Sequence, residues 1–162
     1  MNLKPNILGI DPGLERTGWC IIPSQNQAIQ AGIVITSSKD PIGIRLYDLQ
    51  KQIEKIIEEK NIHLLSIEKI VITKKIESRL EQVLQARGVI LSLAGKFQLR
   101  VQEIAPNTIK KAITGSGKAN KTDIKNALRL IYKIEHQKDY TDDVYDAIAI
   151  ALTCKNSLSY DF

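Results

Sequence analysis

The hydrophobic period of this sequence changes at Pro41, and the change limits the folds open to it. Before Pro41 come three short β-rich runs: ILGID at 7 to 11, GWCII at 18 to 22 and AIQAGIVIT at 28 to 36. Asp-Pro-Gly closes the first run and the polar stretch SQNQ precedes the third, which is the spacing of an antiparallel meander. After Pro41, Ile42, Leu46, Leu49, Ile53 and Ile56 recur at intervals of four, three, four and three with Lys and Glu between them. That is the pattern of an amphipathic helix. LLSIEKIVI at 64 to 72 reads as a fourth strand, 74 to 98 as a long helix ending near Lys96, and RVQEI at 100 to 104 as a fifth strand. A strand, helix, strand order makes the later strands parallel neighbours on the same sheet. Pro106 opens a short helix to about Ile113, TGSGKAN interrupts it, and two more helices are expected over Lys121 to Ile134 and Asp142 to Cys154. The expected fold is α/β: a mixed five-stranded sheet, three antiparallel strands and then parallel ones, flanked by helices.

At 162 residues the chain has the length of one domain. It shows no repeat, low-complexity segment or linker, so a single domain over 1–156 is expected, followed by a short polar tail at 157–162. With 43% hydrophobic and 25% charged residues it is neither a disordered segment nor a fibre. Cys20 and Cys154 stand far apart without a CxxC or a neighbouring His, which argues against a zinc site or a disulfide framework and for a reducing cytoplasm. MNLKPN runs into ILGID without signal-peptide features, and no apolar run approaches membrane-spanning length, so no membrane partner is expected. Lys and Arg number 23 against 18 Asp and Glu, a net +5 that favours polyanionic partners.

The acids in apolar company carry the chemistry. Asp11 ends an apolar strand at a Pro-Gly turn, either as an Asx turn residue or as a ligand at the carboxyl edge of a central sheet, where clefts of α/β proteins open. Glu68 stands inside LLSIEKIVI, where ionisation on a covered sheet needs a partner or a metal; Lys69 beside it leaves a solvated strand face open. Asp142 and Asp143 precede the apolar stretch of the last helix, where the helix dipole favours acids, but Asp146 lies a turn further in, where that account fails. Such hard oxygen donors suit Mg²⁺, and a two-metal site of this kind hydrolyses phosphodiesters. Setting Asp11, Glu68, Asp143 and Asp146 aside leaves 14 acids against 23 bases, a basic body around an acidic pocket.

Lys110, Lys111, Lys118, Lys121 and Lys125 gather around a loop with Gly115 and Gly117, either as a phosphate-binding surface or as a solvated loop. GSGK is not a nucleotide-binding P-loop, because Ala112 and Ala119 stand where that motif needs Gly and Ser or Thr. His63 and His136 lack metal-ligand spacing and read as surface residues, and Trp19 and Tyr145 read as core.

Taken in order, ILGIDPGLERTGW at 7 to 19, IEKIVI around Glu68, LQARGVI at 84 to 90 and DDVYDAIAIALT at 142 to 153 resemble the RuvC Holliday-junction resolvases. These belong to the ribonuclease H-like superfamily, and the resemblance spans nearly the whole chain. It implies a ribonuclease H-like fold, with Asp11, Glu68, Asp143 and Asp146 as the catalytic set binding two Mg²⁺ ions per site, with Mn²⁺ as a substitute. Asp142 becomes an auxiliary charge or helix cap. The implied activity is a structure-selective endodeoxyribonuclease that resolves four-way junctions by paired symmetric nicks. Lys110 and Lys121 fall at the family's DNA-contacting lysines, with Lys111 and Lys118 nearby; Arg87 and Gln85 serve either packing or DNA backbone contact. The resemblance further implies a homodimer, with the helix at 74 to 98 as candidate interface, a junction-branch-migration motor as partner, and a cytoplasmic, nucleoid-associated location. Two departures stand out. Val71 replaces a bulky aromatic three residues after the second acid, and Glu15 takes the family's basic position, with Arg16 shifted by one. They leave open a nuclease acting on a wider range of branched DNA, such as forks and flaps; a non-catalytic branched-DNA-binding protein is the remaining alternative.

Overall fold

The structure is a computed structural model that describes residues 5–25, 28–71, 80–130 and 140–158. Five strands form one sheet: β1 (Ile7–Asp11), β2 (Arg16–Ile22), β3 (Gln30–Ile35), β4 (Leu64–Glu68) and β5 (Arg100–Ile104), in the order β3-β2-β1-β4-β5. β1 pairs antiparallel with β2 and β2 with β3, whereas β4 lies parallel to β1 and β5 parallel to β4. The mixed topology expected from the sequence is therefore the one observed. Both parallel connections run through helices, α1 (Ile42–Glu59) between β3 and β4 and α2 (Leu80–Lys96) between β4 and β5. α3 (Pro106–Thr114), α4 (Lys121–Leu130) and α5 (Asp142–Leu158) complete the chain.

The alternation of strand side chains sorts the core into two layers. Ile7, Cys20, Ile22, Leu64 and Ile104 pack under α3, α4 and α5, while Leu8, Ile10, Ile21, Val34, Leu65 and Ile67 meet α1 and α2 on the other face. α5 is buried almost all round from Val144 to Cys154 and lies directly on β1 and β2. Two glycines allow this closeness: a Cβ at Gly9 would stand 2.6 Å from Ala151 Cβ, and one at Gly18 only 2.0 Å from the main-chain oxygen of Asp143. Cys20 and Cys154 are both buried as free thiols.

Three expectations need correction. β4 ends at Glu68 rather than running to 72, so this acid closes the strand instead of standing inside it. α1 buries Leu49 and Ile53 of the expected stripe and half-buries Leu46 and Ile56, but Ile42 is exposed while Ile57 and Arg45 are buried, Arg45 donating from Nε to Thr36 Oγ1 at 3.0 Å. α5 continues to Leu158, past the expected end at Cys154. His136, residues 131–134 of the expected fourth helix, 74–79 of the expected long helix and 159–162 of the expected tail lie outside the described residues. Among the described residues, no helix is long and apolar enough to cross a membrane.

Candidate active site

β1 and β4 are parallel neighbours in the register Ile10↔Ile67, so Asp11 and Glu68, one residue further along each, leave the sheet side by side at its carboxyl edge. This is where α/β sheets form clefts. α5 starts above the same edge because Gly18, the cross-strand partner of Asp11, leaves room for the main chain of Asp143. The first two turns of that helix thereby bring Asp143 and Asp146 to the acids of the sheet. Asp11, Glu68 and Asp146 line a cleft of about 530 Å³, together with Lys110 from α3 and Asn120 and Lys121 from the start of α4. Asp143 stands beside the cleft rather than in its wall. It accepts a hydrogen bond from Arg16 Nε at 3.1 Å, and its charge still reaches Asp11.

The electrostatics are those of crowded carboxylates. Burial first, and then the charges of Asp146, Asp143 and Glu68, push the Asp11 carboxyl from 3.8 to about 7, with Lys121 opposing. Glu68 is raised by the withdrawal of its carboxyl from water and by Asp146, although part of its side chain is exposed; Lys121 and Lys110 pull it back. Burial also raises Asp146, against the Lys121 ammonium, which sits 3.2 Å from its Oδ2. That contact in turn raises Lys121. Asp142 is mostly exposed and faces Lys125 Nζ at 3.8 Å, outside the cleft.

The basic residues separate into three places. Lys110 and Lys121 belong to the cleft, Lys118 lines a neighbouring hollow of about 380 Å³ between α3 and α4, and Lys111 is exposed on α3. Arg87 is not a surface cation: only 8% exposed, it donates to the main-chain oxygen of Glu68 at 2.8 Å and to Glu103 Oε2 at 2.7 Å. Of the two roles open to it, these bonds support the packing one. Val71 is exposed, as is Glu15. Tyr145 is buried and its hydroxyl accepts a hydrogen bond from Arg129 Nε at 3.0 Å, in keeping with a core residue.

Two residues of the site were not singled out from the sequence. Asn120 lines the cleft and caps α4, accepting from Asp123 N at 3.0 Å while Asp123 accepts from Asn120 N at 2.9 Å. The Asn-x-x-Asp spacing before an amphipathic run is the signal that was available for it. Arg16 was noted only as a displaced basic residue, and nothing in the sequence announces its partner on a helix 127 residues away.

A mixed sheet of this order, with acids from two parallel strand ends and a crossing helix at one edge, is a ribonuclease H-like fold. The family model for the crossover junction endodeoxyribonuclease RuvC matches residues 7–154. The chain belongs to the RuvC family. It is 39% identical over 150 residues to the RuvC of Orientia tsutsugamushi strain Boryong, covering 91% of this chain and 92% of that one. It is 35% identical over 157 residues to the RuvC of Rickettsia africae, covering 95% and 99%. Among solved structures, Thermus thermophilus RuvC superposes with a TM-score of 0.79 at 23% identity over 95% of each chain, a likeness of fold. The same bacterium's protein is known in complex with a Holliday junction substrate, with a TM-score of 0.79 at 22% identity over 92% of each chain.

Proposed function

We propose that this protein is a metal-dependent endodeoxyribonuclease that resolves four-way DNA junctions by paired symmetric nicks. The observation that carries the reading is the convergence of Asp11, Glu68 and Asp146 on one cleft that Lys110 and Lys121 also line. Three acids alone would repel a phosphodiester. Lysines beside the acids bring the DNA backbone in, and cations taken up by the acids would make the approach favourable.

The donor set fits Mg²⁺: every candidate ligand is a hard carboxylate oxygen, and the burial and mutual repulsion that raise Asp11 to about 7 are relieved by a divalent cation. Among the described residues no three acids converge closely enough to hold one ion in this conformation, and the Lys121 ammonium rests on Asp146. In this reading Asp11 and Asp146, with Glu68 and Asp143 completing the set, would hold two Mg²⁺ ions, with Mn²⁺ as a substitute; such ions would supply activation of the attacking water and charge stabilisation of the leaving oxygen. Lys110 and Lys121 hold the phosphates flanking the scissile bond, and Lys118 and Lys111 extend that basic surface along the DNA. Asp143, held by Arg16, contributes its charge from the rim of the cleft.

The domain over 1–156 acts as a homodimer, since a two-fold junction is matched by two symmetry-related sites. A branch-migration motor is the partner this activity calls for, and the cytoplasm, at the nucleoid, is where it works. The exposed Val71 favours a second reading, a wider range of branched substrates, because its short side chain does not stack on a base as an aromatic does.

The test is cleavage of a labelled four-way junction beside a linear duplex of the same sequence, with Mg²⁺ or EDTA, by the wild type and Asp146→Asn. Paired symmetric nicks that need both Mg²⁺ and Asp146 are expected. Equal cutting of the linear duplex removes the junction reading, and cutting by Asp146→Asn removes that residue from the chemistry.

A further inference from the structure

Hydrogen bonding along β4 leaves one main-chain acceptor without a partner in the sheet. Leu64 N donates to Asn6 O on the β1 side, whereas Arg100 N donates to His63 O and Lys69 N to Ile104 O on the β5 side. Even-numbered residues of β4 thus turn their main-chain groups to β1 and odd-numbered ones to β5. The carbonyl of Glu68 faces β1, one step past the pair Ile10↔Ile67, where the next donor along β1 is residue 12. Residue 12 is proline and has no N–H.

Arg87 supplies the missing donor from α2. Its Nη1 donates to Glu68 O at 2.8 Å, and its Nη2 pairs with Glu103 Oε2 at 2.7 Å, on the neighbouring strand β5. The guanidinium is a planar fork, so one side chain ties the end of β4 to β5 with two bonds of fixed mutual direction. Glu103 also balances the charge of Arg87. We infer that Arg87, braced by Glu103, is a positioning residue that fixes the end of β4 and so aims the Glu68 carboxylate into the cleft. The inference rests on the reading of Glu68 as a metal ligand.

The variants that test it are Arg87→Gln, Arg87→Lys and Glu103→Gln, with Glu68→Gln alongside. Three readouts are needed: the Mg²⁺-induced rise in Tm of the DNA-free protein, the Mg²⁺ dependence of junction cleavage, and junction affinity in EDTA. Arg87→Gln is expected to need about ten-fold more Mg²⁺ for half its effect in the first two, the size of loss typical for a residue behind a ligand. Saturating Mg²⁺ brings its kcat back to within about three-fold of wild type, and junction affinity is unchanged; because Mg²⁺ also refolds a partly unfolded variant by mass action, the comparison is made at a temperature where each variant is fully folded without Mg²⁺. Arg87→Lys falls between, because an ammonium reaches one acceptor but lacks the fork. Glu103→Gln, on a half-exposed side chain, moves the Mg²⁺ midpoint the same way by less, and it decides the matter where Arg87→Gln does not fold. An unchanged Mg²⁺ midpoint in the folded variants overturns the inference. So does a loss of junction affinity with a shallower salt dependence, which makes Arg87 a DNA contact. If Glu68→Gln loses the Mg²⁺ response and the Arg87 variants keep it, only the positioning role has failed. If Glu68→Gln keeps the wild-type response, the ligand reading of Glu68 has failed and the inference with it.

Discussion

Replacing Asp11 with Asn should stabilise the metal-free protein, and by an amount that depends on pH. The Asp11 carboxyl titrates at 3.8 when unperturbed and at about 7 in the folded protein. Below the lower value it is protonated in both the folded and the unfolded chain and contributes no difference. Between the two values the unfolded chain has released the proton while the folded protein still holds it, so stability falls as pH rises. At about 1.4 kcal/mol per pH unit the full cost, about 4 kcal/mol, is reached above pH 7. Asn keeps the volume and polarity of the side chain but carries no charge to bury beside Asp146, Asp143 and Glu68. Urea unfolding in EDTA at several values from about pH 5 to about pH 8.5 measures the difference between the two proteins, in which every other titrating group largely cancels. The stability advantage of Asp11→Asn should already be about 1.5 kcal/mol near pH 5, about one pH unit above the unfolded value, and should level off at about 4 kcal/mol above pH 7, about 2 M in urea midpoint. Added Mg²⁺ should close the gap by stabilising the wild type alone. Parallel pH profiles, or a variant less stable than wild type at pH 8, would refute the claim that Asp11 is held in a crowded, desolvated anionic cleft.

Gly18→Ala places a Cβ 2.0 Å from the main-chain oxygen of Asp143, a contact that only a shift of α5 relieves. It should lower stability by about 1–3 kcal/mol in urea unfolding and reduce junction cleavage by more than the unfolded fraction explains. Lys121→Gln removes the ammonium 3.2 Å from Asp146, and with it the group that lowers both Asp146 and Asp11. Junction affinity should fall and the slope of log K against log salt should become shallower by about one, read by titration at several salt concentrations.

How much of this was legible in the sequence depends on whether the controlling contact is local. The period change at Pro41 and the β-rich runs before it are local, and the sheet follows them. The end of β4 is not, since IVI after Glu68 is as strand-like as the residues before it. What ends β4 is its neighbours: Pro12 follows Asp11 on one side and Pro106 follows Ala105 on the other, so neither strand has an N–H to offer the carbonyls of Glu68 and Lys69. Both prolines are visible in the sequence, but their effect on Glu68 depends on a register that only the folded sheet defines. The start of α1 differs for a similar reason. Hydrophobicity alone buries Ile42, but in the fold Ile42 is exposed and Arg45, which finds an acceptor in Thr36, is buried.

The acids themselves illustrate the limit from the other direction. Asp11 and Asp146 were recognisable because each interrupts or closes an apolar stretch, and an acid in such company needs a partner. Their proximity, however, depends on the two glycines under α5. Gly9 and Gly18 look like strand-weakening residues within runs of β-formers. In the fold, the absence of their side chains lets the helix carrying Asp143 and Asp146 rest on the strand carrying Asp11. With alanine at either position the Cβ would clash with α5, and a helix pushed further off should weaken the crowding that raises Asp11. The carboxylates are therefore only half of the site. The missing side chains that let them meet are the other half, and a reading that looks only for reactive groups does not find them.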